Sequence, residues 1–312
     1  MAPSRSRTAA LLLVLSGVLA GCTSDRAADD SPTPSAPTSG SPTASSVPTP
    51  SYPRVARYVA LGDSYSAGPG ITAMDLAYGC ARSNHNYPSL LAARLRPRTF
   101  VDVSCSGART VDVSHPHTAL GGSRIPAQIR AVTRGTDLVT MTMGGNDLDL
   151  FTTLTRVCPR LAARDRTGAP CTRALARNGT DLAEAATTIS ARVGAALQLV
   201  RRRAPKATVV LIGYLRQVPD RGTCRALPLA TGDYALGRRI SGLLDRGLAR
   251  AAKTAGARFV DMYDASRGHD VCSSAPWVNG STNVDGKAIP YHPFLVGMRA
   301  DARGVLDALT LG

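Results

Sequence analysis

Five parallel strands in a three-layer α/β/α domain are what the amino-acid sequence predicts, and three observations carry that expectation. Apolar runs alternate with helical patterns from residue 55 onward. The runs are nearly continuous, as in strands covered on both faces, rather than alternating apolar and polar. Three of them end in small and polar residues, which marks turns at one edge of a parallel sheet.

The elements follow in order. "RYVALGDS" at 57–64 is an apolar, β-branched run that stops at Gly-Asp-Ser. "NYPSLLAARL" at 86–95 spaces its leucines for one face of a helix. "TFVDVSCSG" at 99–107 is strand-like and breaks into Ser and Gly, and "PAQIRAVT" is a short helix. "DLVTMTMGGND" at 137–147 is a third strand ending in glycines. Residues 174–203 are Ala-rich and helical in period, weakly interrupted by Gly179 and Gly194. "ATVVLIGY" at 207–214 is a buried strand, and 233–256 is an amphipathic helix stopped by Gly256. "ARFVDMYD" at 257–264 is the last strand, and 292–309 is helical behind a proline. No repeat and no second folded domain is visible.

The N-terminus is of a different kind. Arg5 and Arg7 precede the apolar run "AALLLVLSGVLA", too short for a comfortable membrane span. It ends at Leu19-Ala20-Gly21-Cys22, which resembles a bacterial lipobox. Residues 1–21 are therefore expected to be a lipoprotein signal peptide, with Cys22 lipidated at the extracellular face of the cell membrane. An ordinary secretory signal is the alternative. Residues 22–54 are rich in Ser, Thr and Pro and cannot bury a core, so they are expected to form a disordered tether. Residues 55–312 form the folded domain, which is expected to be a monomer.

Charge and cysteine content exclude some functions. The net charge is +15, almost all from Arg, since Lys206, Lys253 and Lys287 are the only lysines. The longest basic run is Arg201-Arg202-Arg203, with no stacking aromatics beside it. It suits a helix C-terminus better than nucleic-acid binding. Six cysteines remain after Cys22, an even number that suggests disulfides in an exported chain. They allow fifteen pairings, of which the sequential one closes the shortest loops. No CxxC and no His at ligand spacing appears, so no metal site is expected.

The chemistry is expected at the strand tips. Gly62-Asp63-Ser64, Ser106-Gly107 and Gly144-Gly145-Asn146-Asp147 would share the carboxyl edge of the sheet, where such folds bind ligands. Ser64, on a turn into a helix, would expose its hydroxyl and an unpaired N–H. The N–H groups of Ser64 and Gly107 and the amide of Asn146 could hold an oxyanion. A serine nucleophile needs a base, and His292 would return over this edge from beyond the last strand. His85, His115, His117 and His269 compete for that role. Each piece has a plain structural reading too: Ser64 as a helix cap, Gly-Gly-Asn-Asp as a turn, and His292-Pro293 as a helix start.

Taken together, these residues resemble the SGNH (GDSL-type) hydrolases, especially their secreted actinobacterial lipase and esterase branch. The resemblance covers roughly residues 55–310 and rests on 62–68, Gly107, 144–147 and His292-Pro293. It implies a flavodoxin-like fold, Ser64 as nucleophile, His292 as base, and an oxyanion hole of Ser64, Gly107 and Asn146. It implies no cofactor. It also implies three sequential disulfides: Cys80–Cys105, Cys158–Cys171 and Cys224–Cys272. One position departs from the pattern. Where the family often has Asp, three residues before the histidine, this chain has Ile289. The Ile289 carbonyl is expected to orient His292, with Asp285 or Asp270 as alternatives. The expected substrate is an acyl ester of a lipid or small molecule, with a carbohydrate deacetylase or an inactive tethered binding protein as alternatives. Ile71, Met74, Leu76, Leu148, Leu150 and Phe151 would either hold an acyl chain or belong to the core.

Overall fold

The computed structural model describes residues 52–310. The signal peptide, Cys22 and nearly all of the expected tether lie outside the described residues. Five strands form one sheet: β1 (Arg57–Gly62), β2 (Thr99–Asp102), β3 (Leu138–Thr142), β4 (Thr208–Ile212) and β5 (Arg258–Val260). Their order is β2-β1-β3-β4-β5, and every pairing is parallel. The chain steps from β1 to one side, then crosses to the other. That reversal makes the carboxyl ends of β1 and β3 the switch point at which such sheets bind ligands.

Among the described residues, four helices of nine residues or more cover the sheet: α1 (Tyr87–Leu95), α2 (Leu182–Arg203), α3 (Tyr234–Ala255) and α4 (Leu295–Thr310). α1 packs on α4 and α2 packs on α3, one pair to each face. This is why the strands carry apolar residues at consecutive positions: Val59, Ala60 and Leu61 are all buried, as are Val209 to Ile212.

The departures from the expected elements have local causes. The 174–203 helix is two helices, Pro170–Arg177 and α2. Gly179 turns the chain at φ +65°, and Asp181 then caps α2 by accepting from the N–H of Ala183 at 2.7 Å. Gly194 interrupts nothing. It is buried in α2, and a Cβ there would lie 4.0 Å from Ala251 of α3. The segment expected as a short helix near 126–133 is one 3₁₀ turn, Gln128–Ala131. The last strand stops at Val260 because Asp261 caps a helical turn, Met262–Ala265. α4 begins at Leu295, three residues after His292. Before it, Pro293 bridges Val278, and the Phe294 N–H donates to the Trp277 carbonyl at 2.9 Å. Two small ribbons escaped the pattern, Met74–Asp75 with Arg82–Ser83 and His117–Thr118 with Arg124–Ile125.

The three disulfides pair as the resemblance implies: Cys80–Cys105, Cys158–Cys171 and Cys224–Cys272. The second lies in the helical insert before α2. That insert is also tied to Asp233, whose carboxylate accepts from the N–H groups of Cys171 and Thr172, both at 2.9 Å. The third closes a separation of 48 residues. Replacing Cys224 and Cys272 together by Ala is expected to lower the unfolding free energy by about 4 kcal/mol, by the loop-entropy relation. Urea unfolding of the variant against the parent chain measures it.

Candidate active site

Ser64 opens a single helical turn, Ser64–Ala67, directly after β1. The turn is possible because residue 62 is glycine. Its φ is +139°, and a Cβ there would fall 2.1 Å from Ser66 Oγ and 2.7 Å from the Thr142 carbonyl oxygen. Asp63, not Ser64, is the cap, because its Oδ1 accepts from the Tyr65 N–H at 2.9 Å. The Ser64 hydroxyl hydrogen-bonds to no described residue, and neither does the Ser64 N–H. The serine is not needed to start its helix, and its polar atoms are left over.

The second turn follows β2. The Cys80–Cys105 bridge fixes it, and the Ser106 N–H donates to the Cys80 carbonyl at 3.0 Å. Gly107 then takes φ +84° and is exposed. Its N–H donates to no described residue. The third turn follows β3. Asn146 is half-buried, and its Nδ2 donates to the Ala108 carbonyl at 2.9 Å. A side-chain amide has two N–H bonds, so one remains available. Asp147 ties the second and third turns together. Its buried carboxylate accepts from the Thr110 N–H at 3.0 Å and the Thr110 hydroxyl at 2.5 Å.

Tyr214, at the end of β4, links the first and third turns. Its hydroxyl donates to Asp63 Oδ2 and accepts from the Gly145 N–H at 2.7 Å. Burial pushes the Asp63 carboxyl up to about 7, while the bonds from Tyr214 and Tyr65 favour its charged form.

His292 reaches the site through the neighbouring side chain of Tyr65. The Tyr65 hydroxyl donates to the Tyr291 carbonyl at 2.8 Å, and its ring centroid lies 5.7 Å from that of His292. Gln217 Nε2 donates to the Tyr65 hydroxyl and to the Tyr291 carbonyl, the latter at 3.3 Å. No hydrogen bond joins Ser64 Oγ to His292 directly among the described residues. Burial pulls the imidazole down to about 4, so it stays neutral well below its ordinary pKa.

The carbonyl that bonds the His292 ring is not the one expected to orient it. The carbonyl 2.7 Å from His292 Nδ1 is that of Pro290, not Ile289. The Ile289 carbonyl is occupied by the backbone N–H of His292 at 3.3 Å and by Asn279 Nδ2 at 3.1 Å. The left-handed Tyr291, φ +62°, folds the backbone back so that the residue two before the histidine faces its ring. Neither alternative carboxylate bonds to His292. Asp285 accepts from Asn283, and Asp270 accepts from the Cys272 N–H at 2.9 Å.

The other four histidines have other surroundings. His85 lines a groove of about 550 Å³ with Ile71, Phe294 and Val296. His115 is exposed and bonds Ser114, and His117 lies in a ribbon. His269 stacks on Trp277 at 4.2 Å. Of the apolar candidates, Ile71 and Leu150 are buried, whereas Met74, Leu76 and Leu148 are exposed. Phe151 packs edge-on against Tyr214 with ring centroids 4.8 Å apart.

Residues 60–300 match the GDSL-like lipase/acylhydrolase family, a span that contains all three turns and the histidine. The chain belongs to this family. Lipase 2 of Streptomyces coelicolor is 36% identical over 261 residues, covering 81% of this chain and 86% of that protein. The crystal structure of phospholipase A1 from Streptomyces albidoflavus NA297 superposes with a TM-score of 0.65 at 32% identity, covering 82% of this chain and 99% of that one. The extracellular lipase of Streptomyces rimosus gives a TM-score of 0.64 at 32% identity, with 81% and 99% covered. This family member is a lipase or esterase by kind, and its sheet is the one those structures share.

Sequence reasoning missed Tyr65, Tyr214, Gln217 and Pro290. Tyr65 and Tyr214 each carried a signal, since both stand at the carboxyl end of a strand. Gln217 and Pro290 carried none. Tyr214→Phe in this hydrolase removes the partner of the buried Asp63 and of the Gly145 N–H. The expected loss is about 1–3 kcal/mol of stability, the penalty of an unsatisfied buried group. Urea unfolding reads that loss, and ester turnover is expected to fall with it.

Proposed function

We propose that this family member is a serine esterase that cleaves acyl esters through an acyl-enzyme on Ser64, with His292 as general base. The observation that carries this reading is the state of Ser64. Asp63 takes over the capping of its helix, and among the described residues neither the hydroxyl nor the N–H of the serine has a partner.

In the first step His292 Nε2 takes the Ser64 proton as Oγ attacks the acyl carbonyl carbon. The charge on the carbonyl oxygen is met by the N–H groups of Ser64 and Gly107 and the free N–H of Asn146. The tetrahedral adduct collapses, the C–O bond to the alcohol breaks, and the imidazolium protonates the departing oxygen. Water then attacks the acyl group, giving its proton to His292, and the acid leaves as Ser64 Oγ is reprotonated. The Pro290 carbonyl accepts from Nδ1–H, so the lone pair stands on Nε2. This acceptor orients the ring without a full negative charge, so the imidazolium is stabilised less than beside a carboxylate.

The substrates that fit best are esters of fatty acids. The relatives are named lipases, an esterase and a phospholipase A1, and the neutral His292 ring calls for no charge on the acyl group. Three disulfides support an oxidising compartment outside the cytoplasm. The lipobox-like Leu19-Ala20-Gly21-Cys22 supports retention there through a lipid on Cys22.

Hydrolysis of a p-nitrophenyl ester series, acetyl to palmitoyl, tests the reading. Ser64→Ala and His292→Ala are each expected to lose at least about 10⁴-fold in kcat, and Asn146→Ala about 10²- to 10³-fold. Ser64→Ala activity equal to the parent would sink the mechanism. A peak at acetyl with nothing on longer chains would point to a deacetylase instead.

The pH profile is a second test. The pKa of His292 is depressed, so the neutral base persists as pH falls and is lost only as pH drops through about 4. The acid limb of kcat/KM is expected near there rather than at 6.5. Stability follows the same sign for this group. Below an ordinary imidazole pKa the unfolded chain binds a proton that the folded chain refuses, so its contribution declines as pH falls from about 6.5 toward 4.

A further inference from the structure

The two ribbons make a surface that the hydrolytic mechanism does not use. Leu120, at the tip of the second, is 82% exposed, and Leu76 and Tyr78, beside the first, are 63% and 60% exposed. The two loops meet backbone to backbone. A Cβ on Gly79 would come within 2.7 Å of the Gly121 nitrogen and 3.4 Å of Ala119 Cβ. This apolar tip borders the oxyanion turn, because Leu120 Cδ2 lies 3.9 Å from where a Gly107 Cβ would stand. The Cys80–Cys105 bridge joins the first loop covalently to that same turn.

Charge lies against the apolar tip. A groove of about 660 Å³ runs beneath Tyr78, with Arg82, Arg124, Ile125 and Arg130 along it. Arg82 is engaged by the Ser104 carbonyl at 2.9 Å and by Asp75 at 3.7 Å. Arg124 and Arg130 are exposed and make no ion pair with a described residue. Asp102, the acid of the groove, is half-buried and is taken by Asn86 at 2.7 Å and by the Ser104 hydroxyl at 2.6 Å. Exposed apolar side chains on adjoining loops, with unpaired cations beside them, are the chemistry of a surface that meets an anionic lipid interface.

We propose that these paired loops dock the enzyme on an anionic phospholipid surface, with Leu76, Tyr78 and Leu120 entering the headgroup region and Arg124 and Arg130 meeting phosphates. The docking deepens the esterase reading, since it sets the Gly107 turn at the interface from which an ester would enter. Leu76 and Leu120 supply buried apolar area on contact. Loss of either by substitution with Ser is expected to weaken binding on the order of tenfold. Arg124→Gln and Arg130→Gln are each expected to weaken it on the order of fivefold, because a basic residue at an anionic surface contributes about 1 kcal/mol.

The test places a fluorophore at the tip. The chain has one tryptophan, Trp277, so Leu120→Trp in the full chain adds a second whose emission is read against the parent. With phosphatidylglycerol vesicles the new emission should shift to the blue and be quenched by lipids brominated in the acyl chain. With phosphatidylcholine vesicles, or at high salt, both effects should shrink. The readout is local to residue 120, so attachment through the N-terminal segment does not imitate it. Arg124→Gln/Arg130→Gln in the same background should move the lipid midpoint upward while hydrolysis of soluble p-nitrophenyl butyrate stays unchanged. No shift at residue 120 on protein that sediments with the vesicles would overturn the docking, as would a shift that depends on protein concentration without lipid. The same measurement on Leu120→Trp/Ser64→Ala separates the two readings. Insertion with no ester cleavage by the parent enzyme would leave the docking standing and remove the esterase. Cleavage without insertion would do the reverse.

Discussion

The buried carboxylate of Asp63 is the constraint on which the rest of the site depends. It stands at the end of β1, is 1% exposed, and takes one hydrogen bond from its own turn and one from Tyr214. Through Tyr214 it also reaches the Gly145 N–H, next to Asn146. A carboxylate out of water is costly unless its oxygens are occupied. The site therefore cannot relax at one turn without leaving a polar group unpaired at another. The same logic runs on to Asp147, which is 2% exposed and accepts from the N–H and the hydroxyl of Thr110. Two buried acids thus hold three strand tips in one arrangement and leave the serine free of structural duty.

The histidine is held differently. Between the end of the helical turn at Ala265 and the start of α4 at Leu295 the chain forms no helix and no strand of the main sheet. Backbone groups in such an arm still need partners. Asn279 supplies several of them, since its Nδ2, with one N–H shared, reaches the carbonyls of Thr282, Ala288 and Ile289. The Cys224–Cys272 bridge pins the beginning of the arm, and the Tyr65 hydroxyl pins its end at Tyr291. The imidazole is consequently placed by rigid neighbours rather than by attraction to a charge. This agrees with a neutral ring held by a neutral carbonyl. An adjacent carboxylate would raise its pKa, whereas here burial lowers it.

The layers were legible from local pattern. Continuous apolar runs predicted five strands, and helical spacing predicted the four long helices. Both signals arise from residues within a few positions of one another. Errors fell where a local signal was ambiguous. Gly194 and Gly179 look alike in sequence, yet only Gly179 turns the chain, because Gly194 is packed inside a helix that faces α3. The two-residue ribbons were too short to carry a period at all.

What the sequence by itself determined is the chemistry of the strand tips: a serine after Gly-Asp, a glycine after the second strand, an asparagine after the third, and a histidine before the last helix. These residue types are set by the turns that hold them, and turns are local. Only the tertiary structure decided which groups hold them in place. Tyr214 meets Asp63 across 151 positions and Tyr65 meets Tyr291 across 226, distances over which no periodicity acts. The choice of the Pro290 carbonyl over that of Ile289 likewise turned on one left-handed residue, Tyr291, and on Asn279 occupying the other oxygen. Hydrogen bonds are satisfied by whatever folding brings near, so their partners become known only when the chain is closed.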